Sequence, residues 1–339
     1  MKKLLALLFA LVLTAAAAFA LAEDASPIAI KALILPKFES GEMSGDFPGE
    51  AQYYYEGYCM GGEEYDIVGG FENNKLYVKD GIALYVTGMG KVNTAMSLQA
   101  VLMDDRFDFS NAYIFSTGCA GSAIEYGVMG DVFVITATVD FDLGHHADAR
   151  DLTTDLATTW FHDESYDDAS AKLLNQELCE KVFNLVKDVQ IETTEKTRAF
   201  MAATFDNADW AIRDPKVLRG TTVTGDNYWK GMHDHENALL MTKTYGCPDP
   251  YALTEMEDHA MAVVLDRLGM LDRYIIIRDS VNTDAFMNGA SPESLWDPNF
   301  VDSLASESSI ESADIFATAM KNNFTVGHVV IDAILNGEL

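Results

Sequence analysis

The 339-residue sequence is short of basic side chains: 23 lysines and arginines stand against 53 aspartates and glutamates, which gives a formal net charge of −30 at pH 7. Such a surface repels phosphate backbones, whose neutralisation supplies most of the affinity of nucleic-acid binders, and it repels anionic membranes for the same reason. We therefore expect no nucleic-acid partner. A neutral or cationic small ligand suits this field better than a polyanion.

Long hydrophobic runs are confined to the N-terminus. Lys2 and Lys3 precede an apolar stretch over residues 4–20. Small residues at the end of this stretch suit the cleavage site of a signal peptide. The pattern predicts a secretory signal peptide over 1–22 and an exported chain, periplasmic or extracellular; a retained membrane anchor is the alternative. Loss of the two lysines takes the formal charge from −30 to −32. No later run reaches the ~18 apolar residues that a membrane helix requires.

Cysteine is scarce, and the histidines lack the spacing of a helical zinc site. Four cysteines allow three disulfide connectivities, but a domain of this size does not need disulfides, and unpaired thiols are the alternative. Two histidine-containing clusters, at 145–148 and 233–236, have no pair of histidines at i and i+4. We expect no metal and no cofactor. The sequence also has no GxSxG nucleophile elbow.

Apolar residues make up 49% of the chain, which is ample for one large domain or two small ones. Short β-branched and aromatic runs alternate with segments of helical periodicity. This alternation predicts an α/β fold, whose ligands usually bind beyond the carboxyl ends of the strands. Predicted strands cover Ala29–Leu35, Ile82–Thr87, Ala112–Ser116, Asp131–Thr136, Val217–Thr224 and Tyr274–Ile277; predicted helices cover Val92–Met103, Ala171–Lys187, Asp258–Leu268 and Glu311–Asn336.

Two glycine-containing segments directly follow predicted strands. Gly88 and Gly90 lead into a predicted helix, and Thr117 and Gly118 follow the next strand along the chain. Glycines and small hydroxyl residues let backbone N–H groups approach an anion or a sugar hydroxyl, so these four residues are candidate ligand contacts. The first segment does not complete a dinucleotide fingerprint, and a tight turn without a ligand is the alternative interpretation.

Three later segments place polar or aromatic side chains at strand ends. Tyr228, close to Asp226, offers a ring that can stack on a planar base or simply cover the core. Glu257 lies near a helix N-terminus, where it can complement the helix dipole or hold the vicinal hydroxyls of a ribose. Asn282 can donate to and accept from a purine edge, and Asp284 can donate a proton to a leaving base; a polar loop with Asx turns is the alternative for both.

These segments, in this order, resemble the nucleoside phosphorylase/nucleosidase superfamily, and a closer resemblance is to the purine nucleoside permease family. The superfamily resemblance rests on GMGKV at 88–92, STGCAG at 116–121, GDVFV at 130–134, VTGD at 223–226, EME at 255–257 and IR at 277–278. The family resemblance adds GDFPGEAQ at 45–52, FSNAY at 109–113 and VDFDLGH at 139–145. TEMED at 254–258 departs from the family's TAMED by Glu255, which adds a charge beside the sugar site.

The resemblance implies a three-layer α/β/α fold with a central mixed sheet. It implies that Glu257 holds the ribose hydroxyls, that Met256 packs under the sugar and that Tyr228 stacks on the base. Asn282 falls where nucleosidases carry a catalytic aspartate, and an amide cannot serve as a proton-donating acid, so Asp284 is the candidate substitute.

The implied role is recognition of a purine nucleoside by an exported protein during uptake or salvage. Residues 23–339 would form a single domain of this fold, which captures the nucleoside and passes it to a separate membrane transporter. Relatives in the superfamily often oligomerise, so a homo-oligomer is also open.

Hydrolysis of the N-glycosidic bond is the alternative function. Phosphorolysis is less favoured, because it requires a site for a phosphate dianion. The first strand-end loop offers Lys37 beside two glutamates, Glu39 and Glu42, and Lys91 is the cation of the glycine segment. We expect such a loop to hold phosphate poorly and to activate water, with Glu39 or Glu42 as general base. A protein that keeps the fold but binds something else is the remaining alternative.

Overall fold

The computed structural model describes residues 26–72, 74–151, 158–285 and 298–339, with the side chains of the last helix described from residue 313 onward. The predicted signal peptide over 1–22 lies outside these residues. Among the residues described, no helix has the length and apolar composition needed to cross a membrane. The four cysteine thiols are unpaired, and those of Cys59 and Cys179 are buried.

Ten of the strands described here form one mixed sheet. In chain order, the strands are β1 (Ile28–Ala29), β2 (Ala32–Leu35), β3 (Glu63–Asp66), β4 (Lys75–Lys79), β5 (Ile82–Leu84), β6 (Phe107–Asp108), β7 (Tyr113–Ser122), β8 (Val132–Asp140), β9 (His145–His146), β10 (Trp160–Phe161), β11 (Ala171–Leu173), β12 (Val217–Thr224), β13 (Tyr251–Glu255) and β14 (Tyr274–Thr283). The order in the main sheet is β11-β8-β12-β13-β7-β2-β5-β4-β3, and β14 pairs with both β7 and β8.

Helices connect and cover these strands. They are α1 (Gln52–Tyr54), which a π-helical turn at Tyr55–Cys59 continues, α2 (Lys91–Leu102), α3 (Asp167–Ser170), α4 (Gln176–Val186), α5 (Glu195–Thr204), α6 (Met232–Thr244), α7 (Asp258–Arg267) and α8 (Pro298–Asn336). The side chains of Asn175 and Thr194 accept backbone N–H groups of the first turns of α4 and α5, which fixes where these two helices begin.

The pairing of β14 closes part of the sheet into a ring. β14 runs parallel to β7 and antiparallel to β8, and β8, β12, β13 and β7 are already neighbours in the sheet. All nine residues of β8 are buried, as are most of those of β7 and β14. The ring therefore holds the ends of five strands side by side, and the candidate site lies at one of its ends.

The predicted α/β fold and mixed sheet are confirmed, whereas the three-layer arrangement stays a prediction. β12 spans the predicted Val217–Thr224, and α2 and α7 lie within one residue of their predicted bounds. The helix predicted from Ala171 begins instead at Gln176, because Ala171–Leu173 pairs with β8 as an edge strand.

Two segments that we expected to be strand-end loops lie within strands. The segment 116–122 belongs to β7 and residues 278–283 belong to β14, with Thr117 opposite Ile277 and Cys119 opposite Asp279. The closure of the ring supplies the hydrogen-bonding partners that a loop would lack, and this outweighs the low strand propensity of these small and polar residues. By contrast, the strand predicted over Ile82–Thr87 ends at Leu84.

A buried ion pair joins the start of β8 to the segment before β12. The Asp131 carboxylate is fully buried and accepts hydrogen bonds from both terminal nitrogens of Arg213 and from the backbone N–H groups of Val128 and Lys216. Burial raises the pKa of Asp131, so its charged form depends on these donors.

We predict that Arg213→Met lowers the free energy of unfolding by about 3 kcal/mol, because it leaves the Asp131 carboxylate buried without its cation. Urea denaturation followed by circular dichroism measures the change. The matched control is Arg150→Met, which breaks an exposed pair with Asp148 and should leave the free energy of unfolding nearly unchanged. Equal and small losses in the two variants would show that burial of the first pair contributes nothing.

Candidate functional site

A cleft of about 630 Å³ opens at one end of the strand ring. Five of the residues predicted from the sequence line it: Tyr228, Met256, Glu257, Asn282 and Asp284. They come from the loop between β12 and α6, the connection between β13 and α7, and the end of β14. The structure therefore brings these five residues together at one cleft.

The predicted residues of the glycine segments support the cleft without lining it. The backbone N–H of Gly90 donates to Glu257 Oε1 over 3.0 Å. Gly118 has a φ of +145°, and a Cβ at this position would lie 2.5 Å from the carboxyl group of Glu50. Gly88, with a φ of +82°, packs in the same way against the ring of Phe71. Glycine is thus required at these positions by backbone conformation and close packing.

Thr117 and Asp226 also lie outside the cleft lining. The Thr117 hydroxyl donates to Asn323 Oδ1 over 2.6 Å, on the buried side of β7. Asp226 Oδ1 accepts the backbone N–H of Lys91 over 2.7 Å, which joins the β12–α6 loop to the start of α2.

The structure does not bring Glu39 and Glu42 into the cleft lining, where we expected a general base. The Glu39 carboxylate accepts the backbone N–H groups of Gly49, Ala51 and Gln52, so it caps α1. Glu42 is exposed. The acid of this loop that lines the cleft is Glu50.

Glu50 lies in the GDFPGE segment that the sequence analysis quoted, yet it was not among the predicted site residues. Glu50 Oε1 accepts the backbone N–H of Cys119 over 2.8 Å, and Oε2 accepts the backbone N–H of Lys37 over 2.7 Å. Burial raises the pKa of Glu50 above its usual range. The Cys119 thiol is next to it, and burial followed by the charge of Glu50 raises the pKa of that thiol well above its usual range. Cys119 is therefore held as a neutral thiol.

A buried arginine organises the acidic wall of the cleft. Arg278 is 1% exposed, and its guanidinium donates to Asp258 Oδ2 over 2.8 Å, to Glu257 Oε2 over 3.0 Å, to Glu255 Oε2 over 3.2 Å and to the Cys119 carbonyl over 2.8 Å. Burial opposes the charge of Asp258, but Arg278 and then Lys37 hold the pKa of this carboxyl below its usual range.

Lys37, like Arg278, donates its hydrogen bonds to acceptors within the protein. Its ammonium group donates to the Leu35 and Thr117 carbonyls over 2.8 and 2.9 Å and to Ser116 Oγ over 2.5 Å, so its three hydrogens are all used. Burial, followed by the charge of Arg278, lowers the pKa of Lys37. Lys91, at the start of α2, is paired with Asp140 and Asp142 over 2.9 and 2.8 Å. None of these lysines has a free charge to offer a ligand.

Glu255, the departure from the family's TAMED pattern, is buried and fully paired. Oε2 accepts the backbone N–H groups of Glu257 and Asp258 and the Arg278 guanidinium, while Oε1 accepts the hydroxyls of Thr222 and Thr224. Burial, followed by the charge of Asp258, raises the pKa of Glu255 to about 7. The Glu255 side chain therefore holds the turn that presents Glu257 through its hydrogen bonds.

The aromatic pair of the β12–α6 loop has two different environments. The Trp229 ring is buried and stacks on Phe141 with centroids 5.1 Å apart. The Tyr228 ring is 56% exposed, and its hydroxyl accepts a long hydrogen bond of 3.4 Å from Asn282 Nδ2. Tyr228 thus presents a ring face to the cleft beside an amide that retains hydrogen-bonding capacity.

Asp284 closes the end of the cleft and is surrounded by donors. Oδ2 lies 2.7 Å from His235 Nδ1 and accepts the Tyr251 hydroxyl over 2.8 Å, while Oδ1 accepts the backbone N–H of Ile124 over 3.0 Å. His235 belongs to one of the histidine clusters weighed as metal sites. No group of three metal-ligating side chains is gathered anywhere in the described ranges.

Comparison with known proteins places the sequence in one family. The description of the family whose model matches residues 29–338 is purine nucleoside permease (NUP). A probable purine nucleoside permease of Schizosaccharomyces pombe is 28% identical over 229 residues, which cover 60% of this chain and 64% of that protein. A purine nucleoside permease of Candida albicans is 24% identical over 217 residues, 58% of this chain and 53% of that one. The matched regions thus span about half to two thirds of these relatives.

Solved structures show the same fold. The 5′-methylthioadenosine/S-adenosylhomocysteine nucleosidase of Neisseria meningitidis, in complex with methylthio-immucillin-A, superposes with a TM-score of 0.52 at 16% identity, covering 89% of this chain and 99% of that one. The enzyme of Helicobacter pylori gives 0.52 at 16% identity, covering 92% and 100%. At this identity the likeness establishes the nucleosidase-type fold and nothing finer.

The pairing of Glu255 leads to a prediction about pH. Its pKa in the folded chain, about 7, exceeds that of an unfolded glutamate, so the folded chain binds more protons between pH 4.5 and 7. Stability from this group is present below pH 4.5 and is lost as the pH rises to 7. We predict that the unfolding free energy of the wild type relative to Glu255→Gln falls by roughly 1–3 kcal/mol from pH 5 to pH 7.5.

Urea denaturation at a series of pH values measures this difference. Glu64→Gln, at an exposed position on β3, is the control and should show no such trend. A wild-type to Glu255→Gln difference that stays constant over this range would contradict the prediction.

Proposed function

Because the chain belongs to the purine nucleoside permease family, we propose that the cleft binds a purine nucleoside and that the protein serves nucleoside uptake or salvage. The observation that carries this proposal is the convergence of Glu257, Met256, Tyr228 and Asn282 on one cavity at the end of the strand ring. This set supplies a carboxylate for the sugar, an apolar surface beneath it, and an aromatic ring and an amide for the base.

The sugar subsite centres on Glu257. Each of its oxygens accepts one internal hydrogen bond, from the Gly90 N–H and from Arg278, and an ionised carboxylate has about four acceptor sites in total. The remaining lone pairs can accept two vicinal hydroxyls of a ribose. Met256 lines the cleft beside Glu257 and packs under the sugar.

The base subsite lies between Tyr228 and Asn282. The exposed face of the Tyr228 ring offers stacking on a planar heterocycle. The Asn282 amide provides both a donor and an acceptor for a purine edge. Its Nδ2 makes a long hydrogen bond to the Tyr228 hydroxyl and can still donate to a ligand. The larger ring system of a purine offers more stacking area to Tyr228 than a pyrimidine does.

The charges of the cleft favour a nucleoside without phosphate. Lys37 and Arg278 are the cations among the described lining residues, and both are committed to internal acceptors. Glu50 and Glu257 face the same space, so a phosphate dianion would meet carboxylates without a free guanidinium or ammonium group. This supports binding or hydrolysis over phosphorolysis.

We predict that Glu257→Gln weakens the binding of inosine by roughly 10- to 100-fold, because a charged acceptor of the ribose hydroxyls is lost. Binding of hypoxanthine, the free base, should change by less than about threefold, since it has no sugar. Isothermal titration calorimetry with both ligands measures this, with Glu64→Gln as the exposed control variant. Equal losses for inosine and hypoxanthine would show that Glu257 does not serve the sugar.

A second candidate function, hydrolysis of the N-glycosidic bond, is favoured by Glu50. A buried glutamate with a raised pKa at the cleft surface has the properties of a general acid or base near neutral pH. Glu50 would take a proton from water while the water oxygen bonds to the anomeric carbon. The glycosidic electron pair would leave with the base, which then takes up the proton that Glu50 had taken from water. Asp284, the acid expected from the sequence, already accepts the Tyr251 hydroxyl and the Ile124 N–H and is not assigned this step.

The two functions are separated by incubating the purified protein with inosine, with and without phosphate, and measuring free hypoxanthine. For a carrier we expect tight binding with no release of base. Release without phosphate identifies a nucleosidase, and Glu50→Gln should then lower it at least about 100-fold. Loss of release in Glu39→Gln/Glu42→Gln but not in Glu50→Gln would return the general base to Glu39 or Glu42. Release only with phosphate would contradict the charge argument.

The cellular setting is part of the same proposal. The signal-peptide pattern over 1–22 supports export to the periplasm or the extracellular space. A carrier there would pass its nucleoside to a separate membrane transporter, and a homo-oligomer is compatible with this role.

A further inference from the structure

The loop between β12 and α6 carries Tyr228, the ring of the proposed base subsite, and its first end is held by a carboxylate. The Asp226 N–H donates to Asp142 Oδ2 over 2.7 Å, and Asn227 Nδ2 donates to Asp142 Oδ1 over 3.3 Å. The Gly225 N–H donates to the Glu255 carbonyl over 2.9 Å. This end of the loop is therefore tied to β8 and β13.

The second end of the loop is held by Asp284. The Gly231 N–H donates to the Asp284 carbonyl over 2.7 Å, directly before α6 begins. In the first turn of α6, His235 Nδ1 lies 2.7 Å from Asp284 Oδ2. One residue of the β14 end thus binds both the loop and the helix that follows it.

His235 is buried and has a fixed direction of contact. It is 7% exposed, and its ring lies against Tyr251, with centroids 5.6 Å apart, while the Tyr251 hydroxyl reaches the same Asp284 oxygen. Because a carboxylate only accepts hydrogen bonds, Nδ1 of His235 carries the hydrogen of this contact. The ring therefore acts as a donor that fixes Asp284, two residues beyond Asn282.

The middle of the loop depends on these anchors. Tyr228 is 56% exposed, and the hydrogen bond of its side chain to Asn282 is a long one of 3.4 Å. Its position over the cleft is consequently set by the two loop ends and by the neighbouring Trp229 on Phe141. Loss of the His235 contact would leave Asp284 with the Tyr251 and Ile124 donors, and its hold on the second loop end and on Asn282 would weaken.

We propose that His235 is a positioning residue for the base subsite: by donating to Asp284, it holds the β12–α6 loop and the end of β14 so that Tyr228 and Asn282 face the same ligand. The assignment to a nucleoside rests on the proposed function, whereas the control of the loop by His235 does not.

The test compares two substitutions of His235 in the full chain. In His235→Asn, the amide nitrogen lies close to the position of Nδ1 and keeps the donor, whereas His235→Leu fills much of the space without a donor. We expect inosine to bind at least about tenfold more weakly to His235→Leu and within about threefold of the wild type to His235→Asn. The matched control is His162→Leu, which removes a histidine at 2.7 Å from Asp167 outside the cleft lining and should leave binding unchanged.

Hydrogen exchange of the unliganded protein makes the test independent of the ligand. Amides of residues 226–231 should exchange at least about tenfold faster in His235→Leu than in the wild type, and His235→Asn should restore their protection. Thermal unfolding is measured in parallel. A histidine that only fills the core would make His235→Asn no better than His235→Leu in loop exchange and in binding, and that result would overturn the proposal. If the wild type binds no purine nucleoside, the proposed function fails while the exchange result still decides the role of His235.

Discussion

The buried guanidinium of Arg278 is the interaction on which the rest of the site depends. A charge at 1% exposure is tolerated only where ionised partners and full hydrogen bonding replace water, and Asp258, Glu255 and Glu257 provide this replacement. The arginine comes from the middle of β14 and the acids from the end of β13 and the start of α7, so the cluster joins the end of β13 to β14. Glu257, which lines the cleft, is held in place by this cluster.

The same cluster shapes the electrostatics of the cleft. With Arg278 and Lys37 saturated by internal acceptors, the two cations among the described lining residues neutralise the protein itself. The overall charge of −30 acts in the same direction at long range. Local pairing and global field therefore agree in opposing a phosphorylated ligand or a phosphate co-substrate, and neither opposes a neutral nucleoside.

Much of the fold could be predicted from local pattern, whereas the ring closure could not. β12 is rich in β-branched residues and is bounded by turn-forming residues, so the local sequence alone predicts where this strand begins and ends. β7 and β14 continue through small, polar and charged residues. These residues adopt strand conformation because the two strands pair with each other, and such long-range pairing leaves no signal in the local sequence.

Strand-end position predicted Tyr228, Glu257, Asn282 and Asp284, and the family resemblance added Met256; the structure brings all five to one cleft. Glu50 was not predicted as a site residue, because it lies 15 residues beyond the end of β2. The loop that returns it to the cleft is held by hydrogen bonds from the Ala51 and Gln52 N–H groups to the Glu39 carboxylate.

The central claim, that the cleft takes an uncharged purine nucleoside, is tested most directly by calorimetric titration of the full chain with inosine, uridine and inosine 5′-monophosphate at two salt concentrations. We predict that inosine binds at least about tenfold more tightly than either competitor and that salt affects the nucleotide far more than the nucleoside. Binding of inosine 5′-monophosphate as tight as that of inosine, or tighter, would contradict the account.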